Sequence, residues 1–181
     1  MKREEESEEL PLAGARWRFE AARLPAGGLR LDLAADAAER EALVVALDLL
    51  ALDRLVLTGQ LTGLSRGRFR LTARLEAELA QPCVVTLEPV AARIEESIDI
   101  ELWPPDGFAS PGRQIDIDPD EQAPEPIEDG WIELGRIAYE TLAVALPLFP
   151  RSAAAGEAAA SVIDPAPLGP FAGLARLRKP T

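Results

Sequence analysis

Phe69-Arg70-Leu71-Thr72-Ala73-Arg74-Leu75-Glu76-Ala77-Glu78-Leu79 alternates apolar and polar side chains without a break for eleven positions. That period places Phe69, Leu71, Ala73, Leu75, Ala77 and Leu79 on one face of a strand. Arg68, Arg70, Thr72, Arg74, Glu76 and Glu78 fall on the other face. Such a strand has one buried side and one wet side. Upstream, Leu55, Leu57 and Leu61 share a face from Arg54 onward, and Ser65-Arg66-Gly67 reads as the turn between two strands. Downstream, a third strand is expected from about Val90 to Leu102, with Ile94, Ile98, Ile100 and Leu102 inward and Arg93, Glu95, Ser97, Asp99 and Glu101 outward. The link from Ala80 to Pro89 is too short for a crossover helix, so the strands are expected to run antiparallel. Opposite charges favour a register in which partner numbers sum to 169, pairing Arg68 with Glu101, Arg70 with Asp99, Arg74 with Glu95 and Glu76 with Arg93. A slip by one residue would turn an apolar side outward, whereas a slip by two loses only exposed charge pairs. Burial therefore fixes the face, and charge biases the partners.

Around this sheet the chain offers two helices. Asp36, with Glu39 three residues on, forms a capping-box pattern that opens an Ala- and Leu-rich helix to about Leu50. Asp129 or Gly130 precedes a second helix from Trp131 to Leu146, with a stripe of Leu134, Ala138, Leu142 and Ala145 beside Trp131, ended by Pro147. Trp131 and Tyr139 read as anchors of that helix, and Glu140 follows Arg136 by the four residues of a helix pair. Before the first helix, Trp17, Phe19 and Ala21 suggest a strand from Arg16 to Arg23, and Pro25, Gly27 and Gly28 turn the chain. Between residues 103 and 130 six prolines sit among acids, a density that opposes regular structure. The fold class expected is α+β: a twisted antiparallel sheet packed against two main helices, with a long acidic Pro-rich loop. The domain reading is an acidic arm at 1–10, one domain over 11–150, a flexible Ala- and Gly-rich linker over 151–169 and a basic amphipathic tail over 170–181.

Charge is regional. Residues 95 to 133 hold thirteen Asp or Glu against Arg113 alone, which equals the formal net charge of −12 for all 181 residues. Residues 54 to 75 hold Arg54, Arg66, Arg68, Arg70 and Arg74 and no acid. A basic stretch followed by an acidic one suggests a molecule with two electrostatic sides, while the net field opposes a general nucleic-acid binder. Histidine is absent and Cys83 is the one cysteine, which excludes His-based triads, Cys-rich zinc sites and an internal disulfide. No cofactor and no metal are expected, since the acid spacing matches no EF-hand loop. The first ten residues contain no apolar h-region and no run approaches a membrane span, so a cytoplasmic, membrane-free protein is the simple expectation.

Candidate contact residues fall in two groups. Arg66, Arg68, Arg70 and Arg74 offer guanidinium forks suited to phosphate, although the register above already gives three of them acidic neighbours. Arg66, in the turn, escapes that pairing. Phe171, Leu174, Arg176, Arg178 and Lys179 form the basic amphipathic end, a candidate protein contact or a segment that folds back on the sheet. Cys83 reads as a small buried hydrophobe with nothing nearby to lower its pKa.

Three ordered stretches carry a family resemblance: Cys83-Val84-Val85-Thr86-Leu87-Glu88-Pro89-Val90, Ile132-Glu133-Leu134 through Glu140 to Leu146-Pro147, and Pro170-Phe171-Ala172-Gly173-Leu174-Ala175-Arg176-Leu177. Together, across about residues 45 to 178, the chain resembles the YceD family, also called DUF177 or the large ribosomal RNA subunit accumulation proteins. Many members carry a Cys-x-x-Cys-Leu-x-Pro-like segment. Its first cysteine falls on Cys83 and its second on Thr86, so the resemblance implies a loop kept for shape rather than thiol chemistry. It also implies a bacterial, non-enzymatic factor supporting 23S ribosomal RNA accumulation, with a ribosomal or assembly protein, or precursor 23S RNA, as partner. The competing readings are a carboxylate-based hydrolase using Glu133 or acids near Asp116, and a structural adaptor unrelated to ribosomes.

Overall fold

A computed structural model describes residues 11–105 and 124–155. The elements are β1 (Arg18–Glu20), β2 (Leu29–Ala34), α1 (Ala37–Ala46), β3 (Ala51–Gly63), β4 (Phe69–Pro82), β5 (Pro89–Trp103), β6 (Glu125–Pro126), β7 (Trp131–Glu133) and α2 (Leu134–Ala145). Five strands form one sheet in the order β2-β3-β4-β5-β6, and β1 pairs with β7 in a separate two-stranded ribbon. The alternation at 69–79 does what its period requires. Leu71, Leu75, Ala77 and Leu79 are buried, and Arg70, Thr72 and Arg74 are exposed. Both helices pack on the apolar face, α1 over β3 and α2 over β4 and β5. The architecture is the expected α+β, with two main helices.

The strand registers explain where simple alternation breaks. Pairing of β3 with β4 shifts between Leu52 and Arg54, so Asp53 is the extra residue of a bulge. The bulge lets both Leu52 and Leu55 point into the core despite their odd spacing. Between β4 and β5 the partner numbers sum to 171, as in Arg70 opposite Glu101 and Thr72 opposite Asp99, and not to the expected 169. A two-residue slip keeps every apolar side chain inward, so burial does not oppose it. The six-residue turn from Cys83 to Glu88, closed by Cys83 N–H to Glu88 C=O at 2.8 Å, sets the register instead.

Other expectations are corrected as follows. The strand expected over 16–23 shrinks to β1, flanked by single 3₁₀ turns at Ala15–Trp17 and Ala21–Arg23. β2 follows the Gly27-Gly28 turn and pairs along its whole length with β3, where no strand was expected. The capping box forms as read, with Glu39 N–H donating to Asp36 Oδ1 and Asp36 N–H donating to Glu39 Oε2. The helix nonetheless stops at Ala46, because Asp48 turns left-handed (φ 51°) and Leu50 N–H joins the sheet at Ala80 C=O. The sheet is not purely antiparallel: β6 runs parallel to β5. Trp131 lies in β7, one turn short of α2, because Asp129 and Gly130, both at positive φ, make a hairpin turn rather than a helix cap. Leu134, Ala138 and Leu142 are buried as the stripe predicts, and Ala145 is half-buried.

Gly135 lets α2 close on the chain's N-terminal segment. A Cβ there would lie 2.0 Å from the Leu12 carbonyl oxygen and 2.9 Å from Trp17 Cβ. The seat so formed buries Leu12 and Trp17 completely, and Trp17 Nε1 donates to Glu39 Oε1 at 3.0 Å. The N-terminal ribbon, α1 and α2 are thereby joined in one core. Among the described residues no helix is long and apolar enough to cross a membrane.

Candidate interaction surface

The face of the sheet turned away from the helices carries the arginines of β3, β4 and β5. Antiparallel pairing of β4 with β5 brings the basic stretch and the start of the acidic one onto this single face. Over the described residues, the basic stretch and the start of the acidic one are therefore interleaved on one face. Arg70 forks onto Asp99, with Nε to Oδ1 and Nη2 to Oδ2 both at 2.7 Å. Arg74 holds Glu95, and Arg93 reaches the same carboxylate at 3.0 Å. Arg54 holds Glu76 at 2.9 Å and Arg68 reaches Glu101 at 3.5 Å. Three of the four pairs read from sequence form, Arg68–Glu101, Arg70–Asp99 and Arg74–Glu95; the fourth does not, because Glu76 is held by Arg54 and Arg74 while Arg93 turns to Glu95. The three form across the diagonal of a register that is two residues away from the expected one, because long side chains reach the i, j±2 neighbour.

The pairing shifts the ionisable groups in matching directions. A hydrogen bond from Arg70 holds the Asp99 carboxyl below the usual carboxylate range, against the opposing effect of desolvation. Asp99 in turn raises the Arg70 guanidinium above its ordinary value. Glu95 is lowered by its hydrogen bond from Arg74, then by the charges of Arg74 and Arg93.

Arg66 differs from these. It sits at the exposed tip of the β3–β4 hairpin with φ at 63° and has no ion pair among the described residues. Gly67 follows, also left-handed at φ 69°. Two consecutive left-handed residues make the tight turn that joins β3 to β4. Arg68 additionally lies over the Trp103 ring, 5.5 Å from its centroid, an aromatic neighbour that alternation alone did not reveal.

At the opposite end of the sheet the Cys83 turn is more polar than expected. Cys83 is sealed from solvent, as read, but its Sγ accepts backbone N–H groups from Val85, Thr86 and Ser152 at 3.4, 3.4 and 3.3 Å. Ser152 first, then Thr86, pull the thiol down to about 6, against the opposing effect of burial. Thr86 Oγ1 donates to Glu88 Oε2, and Ser152 Oγ reaches both Thr86 Oγ1 and Glu88 Oε2. The expectation that nothing near Cys83 lowers its pKa is thus corrected. Backbone N–H groups and the Thr86 side chain do it, and the backbone donors leave no trace in residue types. Thr86 completes the turn by hydrogen bonding. Ser152 and the buried Ala155 bring the segment after residue 150 against this turn.

Glu133 is engaged by Arg18 at 2.7 Å, and Glu140 lies on α2 with Arg136, which it pairs at 3.1 Å as the spacing predicts. Asp116 lies outside the described residues, as do Phe171, Leu174, Arg176, Arg178 and Lys179. Among the described residues no group of three or more Cys, Asp or Glu is placed to hold a metal ion.

No curated protein and no solved structure matches the chain. A family model does: the large ribosomal RNA subunit accumulation protein YceD, over residues 71–177. That span starts within the decisive strand and includes the Cys83 turn, the β5 edge and α2, more than half of the molecule, and the protein belongs to the YceD family.

Proposed function

We propose that this protein is a non-enzymatic cytoplasmic factor in large ribosomal subunit biogenesis, that it supports accumulation of 23S ribosomal RNA, and that it acts through contact with a ribosomal or assembly protein. The family match supports the process. The choice of a protein partner rests on one observation, the neutralised outer face of the sheet. Arg54, Arg68, Arg70 and Arg74 are each engaged by a carboxylate of this chain. A polyphosphate backbone offers one sign of charge, so it would have to displace Glu76, Glu95, Asp99 and Glu101 while being repelled by them. A folded protein with alternating charges meets the same face without that conflict.

Affinity purification of the tagged chain, with and without ribonuclease, tests this reading. Large-subunit ribosomal or assembly proteins are expected to remain bound after RNA is digested. Their release by ribonuclease, or the absence of both such proteins and precursor 23S RNA, would sink it. A direct RNA contact is the second reading, favoured by Arg66, which has no ion pair among the described residues, near the Arg68–Trp103 stack. On that reading, changing Arg66 and Arg68 to Glu abolishes RNA recovery; on the preferred one, recovery is unchanged.

A further inference from the structure

β5 is an edge strand over most of its length. β6 pairs only with Leu102 and Trp103, so among the described residues no strand lies beside the outer edge of β5 from Pro89 to Glu101. Alongside that edge a groove of about 400 Å³ opens between β5 and α2. Its apolar surface comes from Ile98, Ile100, Ile137 and Val144, the last 88 % exposed. Glu96, Glu125 and Glu140 rim it. Arg136 pairs with Glu125 at 2.9 Å and Glu140 at 3.1 Å, which leaves the rim with a surplus of negative charge.

Glu96 is the informative residue. It occupies an even position between Ile94 and Ile98, on the helix side of β5, yet it is exposed and has no ion pair among the described residues. An inward charge on an edge strand guards against edge-to-edge association, and either sign serves that purpose. Three carboxylates beside one apolar groove ask for more: a basic occupant with apolar side chains.

We infer that the groove between β5 and α2 is the docking site of this chain's own residues 170–181. That segment contains Phe171, Leu174 and Leu177 for the apolar floor, Arg176, Arg178 and Lys179 for the rim, and no acid. The tether is also suitably placed. Val84 N–H bonds to Pro150 C=O, Ser152 N–H bonds to Cys83 Sγ, and the described chain ends at the buried Ala155, near the turn from which β5 starts. The fifteen residues from Ala155 to Pro170 reach up to about 50 Å, whereas the α2 flank of the groove, Ile137 to Ala145, is about 12 Å long. Tethering supplies an effective concentration on the order of millimolar, so a short segment of modest intrinsic affinity occupies the groove.

Disulfide trapping in the full-length chain tests the inference. Thr141→Cys combined with Leu174→Cys is expected to cross-link within one molecule several-fold faster than Thr58→Cys with Leu174→Cys, since Thr58 lies on the opposite face of the sheet. Glu96→Lys with Glu140→Lys should slow the trap, and adding Arg176→Glu with Arg178→Glu should restore it. Equal rates for the two cysteine pairs, or cross-links found only between molecules and rising with concentration, would overturn docking in cis. A readout free of added cysteines is hydrogen exchange over 94–101 and 137–145. Phe171→Asp with Leu174→Asp should speed exchange there several-fold while leaving β3 unchanged, and identical exchange would also refute the assignment.

Discussion

Glu39 makes three contacts with two oxygens, and its removal tests how the N-terminal ribbon is held. Oε2 accepts the Asp36 N–H at 2.8 Å and Arg16 Nη2 at 2.6 Å, while Oε1 accepts the indole N–H of Trp17 at 3.0 Å. Trp17 is completely buried, so Glu39→Ala leaves a donor stranded in the core. An orphaned buried donor costs about 1–3 kcal/mol. Loss of half the capping box adds about 1 kcal/mol, and the half-exposed Arg16 adds little. The expected total is about 2–4 kcal/mol, which lowers the urea midpoint by about 1–2 M for a domain of this size. Trp17→Phe removes the donor itself. In the Glu39→Ala background it should therefore cost about 1 kcal/mol less than in the parent chain. Equilibrium urea unfolding of the four proteins, followed by far-UV dichroism, closes the cycle. If Glu39→Ala costs under about 0.5 kcal/mol and the two changes are additive, Trp17 is seated by shape alone and the polar link is irrelevant.

Gly135→Ala should destabilise by about 3 kcal/mol, because backbone of Leu12 must move, whereas Gly27→Ala, with nothing within 4 Å of its added Cβ, should change stability by less than about 1 kcal/mol in the same melts. Thiolate absorbance near 240 nm should titrate with a midpoint of about 6 in the folded chain, and in urea near the ordinary value of 9.0. Since folding depresses this pKa, the associated stability is full above the ordinary value and is lost as pH falls toward 6. The stability of the parent chain relative to Cys83→Ala should rise between those limits, and a flat difference would contradict the hydrogen-bonded sulfur. On the outer face, a double-mutant cycle for Arg70 with Asp99 should give a larger coupling than one for Arg70 with Glu101, although Glu101 is directly opposite; equal couplings would reject the diagonal pairing.

The parts of this fold legible in the sequence are those that a single period dictates. The 69–79 alternation gave the correct faces of β4, and the same reasoning placed Ile94, Ile98, Ile100 and Leu102 inside. The Asp36–Glu39 box was legible because both partners lie within four residues. β2 was missed because Leu29-Arg30-Leu31-Asp32-Leu33-Ala34 is a short run next to Gly27-Gly28, and its pairing with β3 depends on residues 22 to 32 positions away. The Asp53 bulge hides one strand's start by changing the parity of its apolar residues. The start of α2 was misplaced for a related reason: Asp-Gly before an apolar run serves as a helix cap or a hairpin turn, and only the distant β1 strand selects the turn. The candidate surface was legible in its charge partners and not in its backbone register. Burial is blind to a slip of two residues, and the turn that decides the slip is closed by backbone hydrogen bonds that any sequence can make.

That same slip bears on what the protein can bind. A chain with its arginines in one stretch and its acids in the next would act as a dipole if the stretches lay on separate surfaces, and its basic end could hold RNA despite the overall charge. Here the hairpin between β4 and β5 folds one stretch onto the other, so Arg68, Arg70, Arg74 and Arg93 spend their charge within the molecule. Among the described residues Arg30, Arg40, Arg66 and Arg151 form no ion pair, and Arg66 stands exposed at the hairpin tip. Contacts made by the sheet face must then depend on pattern rather than on net potential, and should be selective in partner and weakly accelerated by charge steering. Among the described acids of 95–133, those that form no ion pair are Glu96, beside the α2 groove, and Glu128 and Asp129. A basic partner, whether the chain's own end or another protein, is drawn toward them and away from the paired sheet, so the long-range attraction and the patterned sheet face are separable by mutation.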